Sequence, residues 1–237
     1  DGGSSWSAIQ NFVVPGIGGN QYLRVASDGI NKMYFAHCGH PAYEGLTSIY
    51  AFYYDNGSYY KSDGTAIGHG PPFTRSDMTL VYDASEGGHY RAVLQDLAFC
   101  NNVPYIGFIV YPSTSDHRYY YARWTGSSWY HNEIVAAGGY IDGVGEPYQS
   151  GGLGFDHSNP DIIYCSKEVS GTWEIKKGIT TDGGATWTIT NITNNSSKKN
   201  IHPIVPRNRY PQLPVLWQYG DYTSYTNYNT KIISTLF

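Results

Sequence analysis

A fourfold repeat constrains this chain more than any other feature of its sequence, because a repeated unit that cannot bury its own apolar face must stack against its neighbours. Four segments share one pattern, a turn rich in Asn, Asp or Pro followed by a short apolar strand: Asn31 to His37, Pro104 to Tyr111, Asp161 to Ser166 and Pro214 to Tyr219. In the first three, an aromatic of that strand is followed by a second at nearly constant spacing: Tyr34 and Tyr59 are 25 residues apart, Tyr105 and Trp129 are 24, and Tyr164 and Trp187 are 23. Gly-bearing turns at Asp55-Asn56-Gly57-Ser58, Thr125-Gly126-Ser127-Ser128 and Asp182-Gly183-Gly184-Ala185 precede the second aromatic, as hairpins require.

A further strand precedes each apolar one, at Tyr22 to Ser27, Tyr90 to Phe99, Tyr148 to Phe155 and Ile201 to Pro206, which gives modules of four strands, a to d. Helical periodicity is nearly absent. The pattern predicts an all-β, single-domain β-propeller over 1–237, with four antiparallel blades visible at about 15–60, 78–135, 146–190 and 200–237. The last module runs out after strand c, at Thr230 to Ser234. The stretch Ser4-Ser5-Trp6-Ser7-Ala8-Ile9 resembles the d strand Ser127-Ser128-Trp129-Tyr130, so residues 4–10 are expected to close the ring and remove its open edges. The same phase arises if these four blades are part of a larger propeller, which a second chain or fragment would complete.

Composition removes several function classes. A formal net charge of -4 with 15 Lys+Arg and no basic cluster gives no footprint for nucleic acid. No apolar run is long enough for a membrane-spanning helix. Cys38, Cys100 and Cys165 are far apart and read as buried strand residues rather than a zinc or disulfide framework. The 24 Tyr are the notable excess, suited both to half-wet strands and to sugar-binding surfaces. The chain begins at Asp1, and the expectation is that a signal or upstream segment has been removed. Glycosylation sequons stand at Asn56, Asn191, Asn194 and Asn195.

The segment Thr180-Thr181-Asp182-Gly183-Gly184-Ala185-Thr186-Trp187 fits the Asp-box pattern S/T-x-D-x-G-x-T-W on a c-to-d turn. Its role is expected to be structural: Asp182 bonds turn amides, the glycines permit unusual φ, and Trp187 packs between sheets. With His37-Cys38-Gly39-His40-Pro41, Tyr60-Lys61-Ser62-Asp63-Gly64-Thr65, the run Asp116 to Trp124, and Pro203-Ile204-Val205-Pro206-Arg207, the chain resembles secreted BNR-repeat propellers. Among these are polysaccharide lyases of the ulvan lyase and rhamnose-glucuronate lyase type. Members are typically seven-bladed. The resemblance implies a secreted, carbohydrate-active protein that cleaves a uronate-containing polysaccharide or oligosaccharide by β-elimination and needs no cofactor.

Propeller geometry places b-to-c loops and a-strand starts at the funnel mouth, where ligand sites form on a rigid scaffold. Elimination needs a cation at the C5 carboxylate, a base for the C5 proton and an acid for the leaving oxygen. The candidates are His40 and His117 as the acid–base pair and Tyr121 or Tyr148 as proton carrier, with Arg91 or Arg118 at the carboxylate. His89, Arg24 and His202 join them as substrate-binding residues at a-strand starts, whereas His157, Arg207 and Arg209 are assigned to the opposite face. On strand c, His117, Tyr119, Tyr121 and Arg123 share one face and Arg118, Tyr120 and Trp124 the other. No catalytic metal is expected. Asp63, Asp116 and Asp142 are the candidates for a structural Ca²⁺, although no EF-hand spacing is present.

Two alternatives share the architecture. A lectin-like propeller would stack Tyr and Trp on sugars without turnover. A sialidase would need an arginine cluster and a Tyr/Glu nucleophile pair, for which Glu44, Glu86 and Glu146 are the few funnel-side acids.

Overall fold

A computed structural model describes residues 3–6, 8–14, 16, 19, 21–89, 91–141, 147–208 and 212–234. Tyr90, Asp142, Glu146 and Arg209, named above, lie outside the described residues, as does Ser7. The chain is all-β: the described residues form four antiparallel sheets, and their only helical elements are 3₁₀ turns at Arg75–Asp77 and Glu86–Gly88.

The first sheet contains β1 (Gln21–Ser27), β2 (Lys32–Gly39), β3 (Ile49–Asp55), β4 (Ser58–Lys61) and β5 (Ala66–Ile67) in that order, with β6 (Thr79–Tyr82) paired to β3. The second is β7 (Ala92–Cys100), β8 (Val103–Ser113), β9 (Asp116–Trp124) and β10 (Trp129–Gly138). The third is β11 (Leu153–Phe155), β12 (Ile162–Val169), β13 (Thr172–Ile179) and β14 (Thr188–Asn191), and the fourth β15 (Lys199–Ile204), β16 (Leu216–Ser224) and β17 (Asn227–Ile233). The first strands of successive sheets are neighbours: β1 packs on β7, β7 on β11 and β11 on β15.

Strand alternation builds the core. On β9, Tyr119 donates its hydroxyl to the Ser166 carbonyl at 2.6 Å, Tyr121 meets Phe155 and Trp187, and Arg123 donates Nε to the Gly183 carbonyl at 2.9 Å. All three face the third sheet, while Tyr120 on the opposite face meets Tyr82 and Phe108. Each large ring so buried contributes roughly 1.5–3 kcal/mol, and the two faces together make one core across the first three sheets.

The 180–187 turn staples the third sheet to the second. Asp182 accepts from the Thr180 hydroxyl at 2.8 Å and from the amide and hydroxyl of Thr186 at 2.9 and 2.6 Å. These donors hold its carboxyl down, at about 2. Asn132 donates to the carbonyls of Gly184 and Ala185 from the neighbouring sheet, at 3.1 and 2.9 Å. Gly184 has φ +93°, and a Cβ there would stand 2.5 Å from the Tyr121 ring, so only glycine fits.

Two departures from the sequence reading concern the ends of the repeat. Residues 4–6 and 8–10 form no strand; Trp6 and Ile9 are exposed, and the expected pairing with the last sheet is not made. The segment instead reaches the first sheet, where Phe73 donates its amide to the Phe12 carbonyl at 2.9 Å and accepts from the Val14 amide at 2.8 Å. The reason is aromatic packing: the Phe12 ring lies 4.9 Å from Phe35 and 5.4 Å from Phe73, over a cluster that includes Phe52, Ile67 and Met78. The first sheet thus has its outer face covered by the chain's own residues, and it has six strands where the repeat predicts four. The fourth sheet has three strands, with Tyr228 and Ile232 of β17 exposed.

Candidate functional site

The b-to-c ends of the first two sheets gather much of the expected chemistry. After β2 the chain turns at His40, whose Nδ1 accepts from the Ala42 amide at 3.1 Å. Its ring stacks on Tyr22 at 5.3 Å and meets Tyr43 at 4.7 Å. The backbone of the next residue, Pro41, accepts the Nε of Arg91 at 2.9 Å, which ties the start of the second sheet to this loop. The Arg91 guanidinium lies 4.9 Å from the centre of the Tyr148 ring. Tyr22, His40, Arg91 and Tyr148, from three sheets, therefore form one mouth.

His117 stands behind this mouth rather than in it. It is fully buried and packs edge-on against Tyr111 at 4.5 Å, and the Tyr111 hydroxyl donates to the Tyr148 carbonyl at 2.7 Å. Burial pulls its imidazole down to about 4. Neither ring nitrogen makes a hydrogen bond of good geometry, although the Pro147 backbone and the Asp116 charge offset a little of the burial. The expected His40–His117 pair is not assembled: a ring without access to solvent cannot exchange a proton with substrate in this conformation.

The other candidates separate. Tyr121 is buried under the 180–187 turn, four residues and roughly 13 Å along β9 from His117, so it belongs to the packing. Its hydroxyl is raised by burial and by Asp161, to which it donates at 3.4 Å. Arg118 points to the other face of β9 and is spent on Asp116 and Glu133, at 2.8 and 3.1 Å. His89 is half-buried near Asp116. His202, held with φ +53°, bonds Gln218 at 2.8 Å and lies against Tyr222, between the third and fourth sheets; burial lowers it. Asp63 accepts from the Thr65 amide at 2.9 Å, far from Asp116 in its own ion pair, and among the described residues no three acids, histidines or cysteines gather as a metal set. Cys38 and Cys165 are buried, with thiols pushed up to about 12, whereas Cys100 is only half-buried.

The first sheet carries a polar chain that sequence reasoning did not assemble. Buried Glu44 accepts from Arg75 at 2.5 Å and from Gln21 at 3.2 Å, and the Gln21 carbonyl oxygen meets His37 Nε2 at 2.5 Å. Burial and the Arg75 charge hold His37 at about 4. Glu44 is thus bound to structure and unavailable as the nucleophile partner that a sialidase needs.

Two adjoining cavities lie along the first strands of the sheets. One of about 500 Å³ is lined by Arg24, Gln95, Asp96, Leu153, His157 and Arg207 with their neighbours, and an adjoining one of about 350 Å³ shares His157 and Arg207 and adds Phe99 and Asn208. Arg24 donates Nε to the Gln95 carbonyl at 2.9 Å. His157 and Arg207 do sit at a-to-b turns, but their side chains line the same cavity as Arg24 rather than a separate face. A register shift between Leu94 and Asp96 re-aims β7 at this point, and no sequence signal marks it.

No protein-family model matches the chain, and no curated protein matches its sequence significantly.

Proposed function

We propose that the chain is a secreted, carbohydrate-active β-propeller whose four sheets are successive blades, and that it binds an acidic polysaccharide at the mouth formed by Tyr22, His40, Arg91 and Tyr148. The observation that carries this reading is Arg91, stacked on Tyr148 and beside the Tyr22–His40 stack. Its Nε is taken by Pro41, and no acidic partner engages its other nitrogens among the described residues, which leaves the fork for a carboxylate. Rings on both sides suit the apolar faces of pyranoses. The neighbour order β1, β7, β11, β15 supports the blade reading, and the open edge of β17 is where a further strand or chain would continue it.

A second reading, β-elimination, is favoured by the position of His40. Because Nδ1 accepts from Ala42, the Nε2–H of His40 is free to donate a hydrogen bond to the leaving oxygen. Arg91 would neutralise the uronate carboxylate and Tyr148, reacting as its phenolate, would take the C5 proton. The C4–O bond then breaks, its electron pair going to the leaving oxygen, a C4=C5 double bond forms, and Tyr148 passes the proton it took to that oxygen while His40 holds it, which returns the phenolate.

Incubation with ulvan, gum arabic and pectic polymers tests both readings. Binding with a rise in ultraviolet absorbance from the unsaturated uronate establishes elimination, and binding without that rise establishes a lectin-like protein. Absence of binding to all three overturns the proposal.

A further inference from the structure

We infer that the inner cavity holds a second, separate site for the oxyanion of an acidic saccharide, built from Arg24, Arg207 and His157. The ligand class rests on the acidic-saccharide reading above; the site itself rests on how charge is distributed along the inner strands.

Asp96 is fully engaged: its carboxylate accepts from the amides of Leu97 at 2.8 Å and Phe155 at 2.9 Å and from His157 Nε2 at 3.1 Å. A neutral His157 with its proton fixed on Nε2 presents Nδ1 as acceptor, which meets Arg207 Nη2 at 3.4 Å. Asp96 and His157 therefore form a fixed backstop that orients Arg207 without neutralising it.

Arg24 enters the same cavity from β1 with only its Nε engaged, by a backbone carbonyl. Both guanidinium groups are exposed, and neither has an acidic partner among the described residues. Two unpaired cations converging on a space of about 500 Å³, with Val25, Leu153 and Ile204 as apolar wall, make a site with a fixed positive end and a face for a sugar ring. A carboxylate and a sulfate ester would satisfy this chemistry equally, so the two sources are separated by experiment.

The test is calorimetric titration of the whole protein with tri-galacturonate, with glucose 6-sulfate and with neutral galactose. The wild type is compared with Arg24→Ala, Arg207→Ala and Arg91→Ala. The expected result is two classes of saccharide site, one lost in Arg91→Ala and the other weakened at least tenfold in Arg24→Ala and in Arg207→Ala, with no galactose binding. Tighter binding of the first or second ligand identifies carboxylate or sulfate as the source. A single class of site that Arg91→Ala removes and the two inner substitutions leave intact overturns the inner site while sparing the mouth. A single class of site that Arg24→Ala and Arg207→Ala remove and Arg91→Ala leaves intact supports the inner site and overturns the mouth. Equal binding of galactose overturns the oxyanion assignment.

Discussion

Arg91 lies with its guanidinium 4.9 Å from the centre of the Tyr148 ring while its Nε is held by the Pro41 carbonyl, so one side chain joins the mouths of three sheets. That position couples the His40 loop to the a-strand side of the third sheet. Replacing Arg91 by Ala is expected to weaken acidic-polysaccharide binding at least tenfold. Arg91→Lys is expected to recover little, because an ammonium supplies charge without the planar fork and stacking surface. Affinity electrophoresis against a pectic polymer, with thermal melts to show that both variants fold, reads this out.

His40 and His117 are expected to behave oppositely. His117→Phe keeps an aromatic ring in the buried space beside Tyr111, so activity or binding should be retained. His40→Ala should lower elimination more than tenfold if the protein turns over, with a melting temperature close to the wild type. A loss of turnover in His117→Phe equal to that in His40→Ala, in a protein that still folds, would return His117 to the catalytic pair.

The two buried histidines also set a pH dependence. His37 and His117 sit near 4 in the folded chain, against about 6.5 when unfolded. Below 6.5 the unfolded chain binds protons that the folded one refuses, so stability falls as pH drops from about 6.5 to 4 and levels off below that for these groups. Each contributes on the order of 3 kcal/mol over the full window. Urea melts across this range should show the slope, and His117→Phe should reduce it by about half.

Gly184→Ala should be among the most damaging single-methyl changes in the molecule. The residue would have to hold φ +93° and place a methyl 2.5 Å from Tyr121, a combined cost of about 2–4 kcal/mol. A melting temperature unchanged within a degree would show that the 180–187 turn does not staple the sheets as its contacts indicate.

The repeat of turn signals and alternating apolar residues was enough to read four strand modules, because hairpin turns and pleat alternation are local properties of the backbone. It also separated the two faces of β9, Tyr119 and Tyr121 on one and Tyr120 on the other, and packing decided that the first of these faces meets the third sheet. The turn at Asp182 was legible for the same reason: its bonds span only four residues.

What tertiary structure decided are the contacts between residues far apart in the chain. Whether His117 opens to the mouth or lies behind Tyr111 depends on how tightly the second and third sheets pack, and burial then removes its charge. Asp96 and His157 are 61 residues apart and meet through a local register shift that leaves no mark in composition or spacing. The N-terminal segment matches a strand pattern, yet it goes to the Phe35–Phe52–Phe73 cluster, because burying Phe12 among rings outweighs a local resemblance to a closing strand. Sequence determined the units of this protein by short-range geometry, and long-range packing decided which of their polar residues face a ligand.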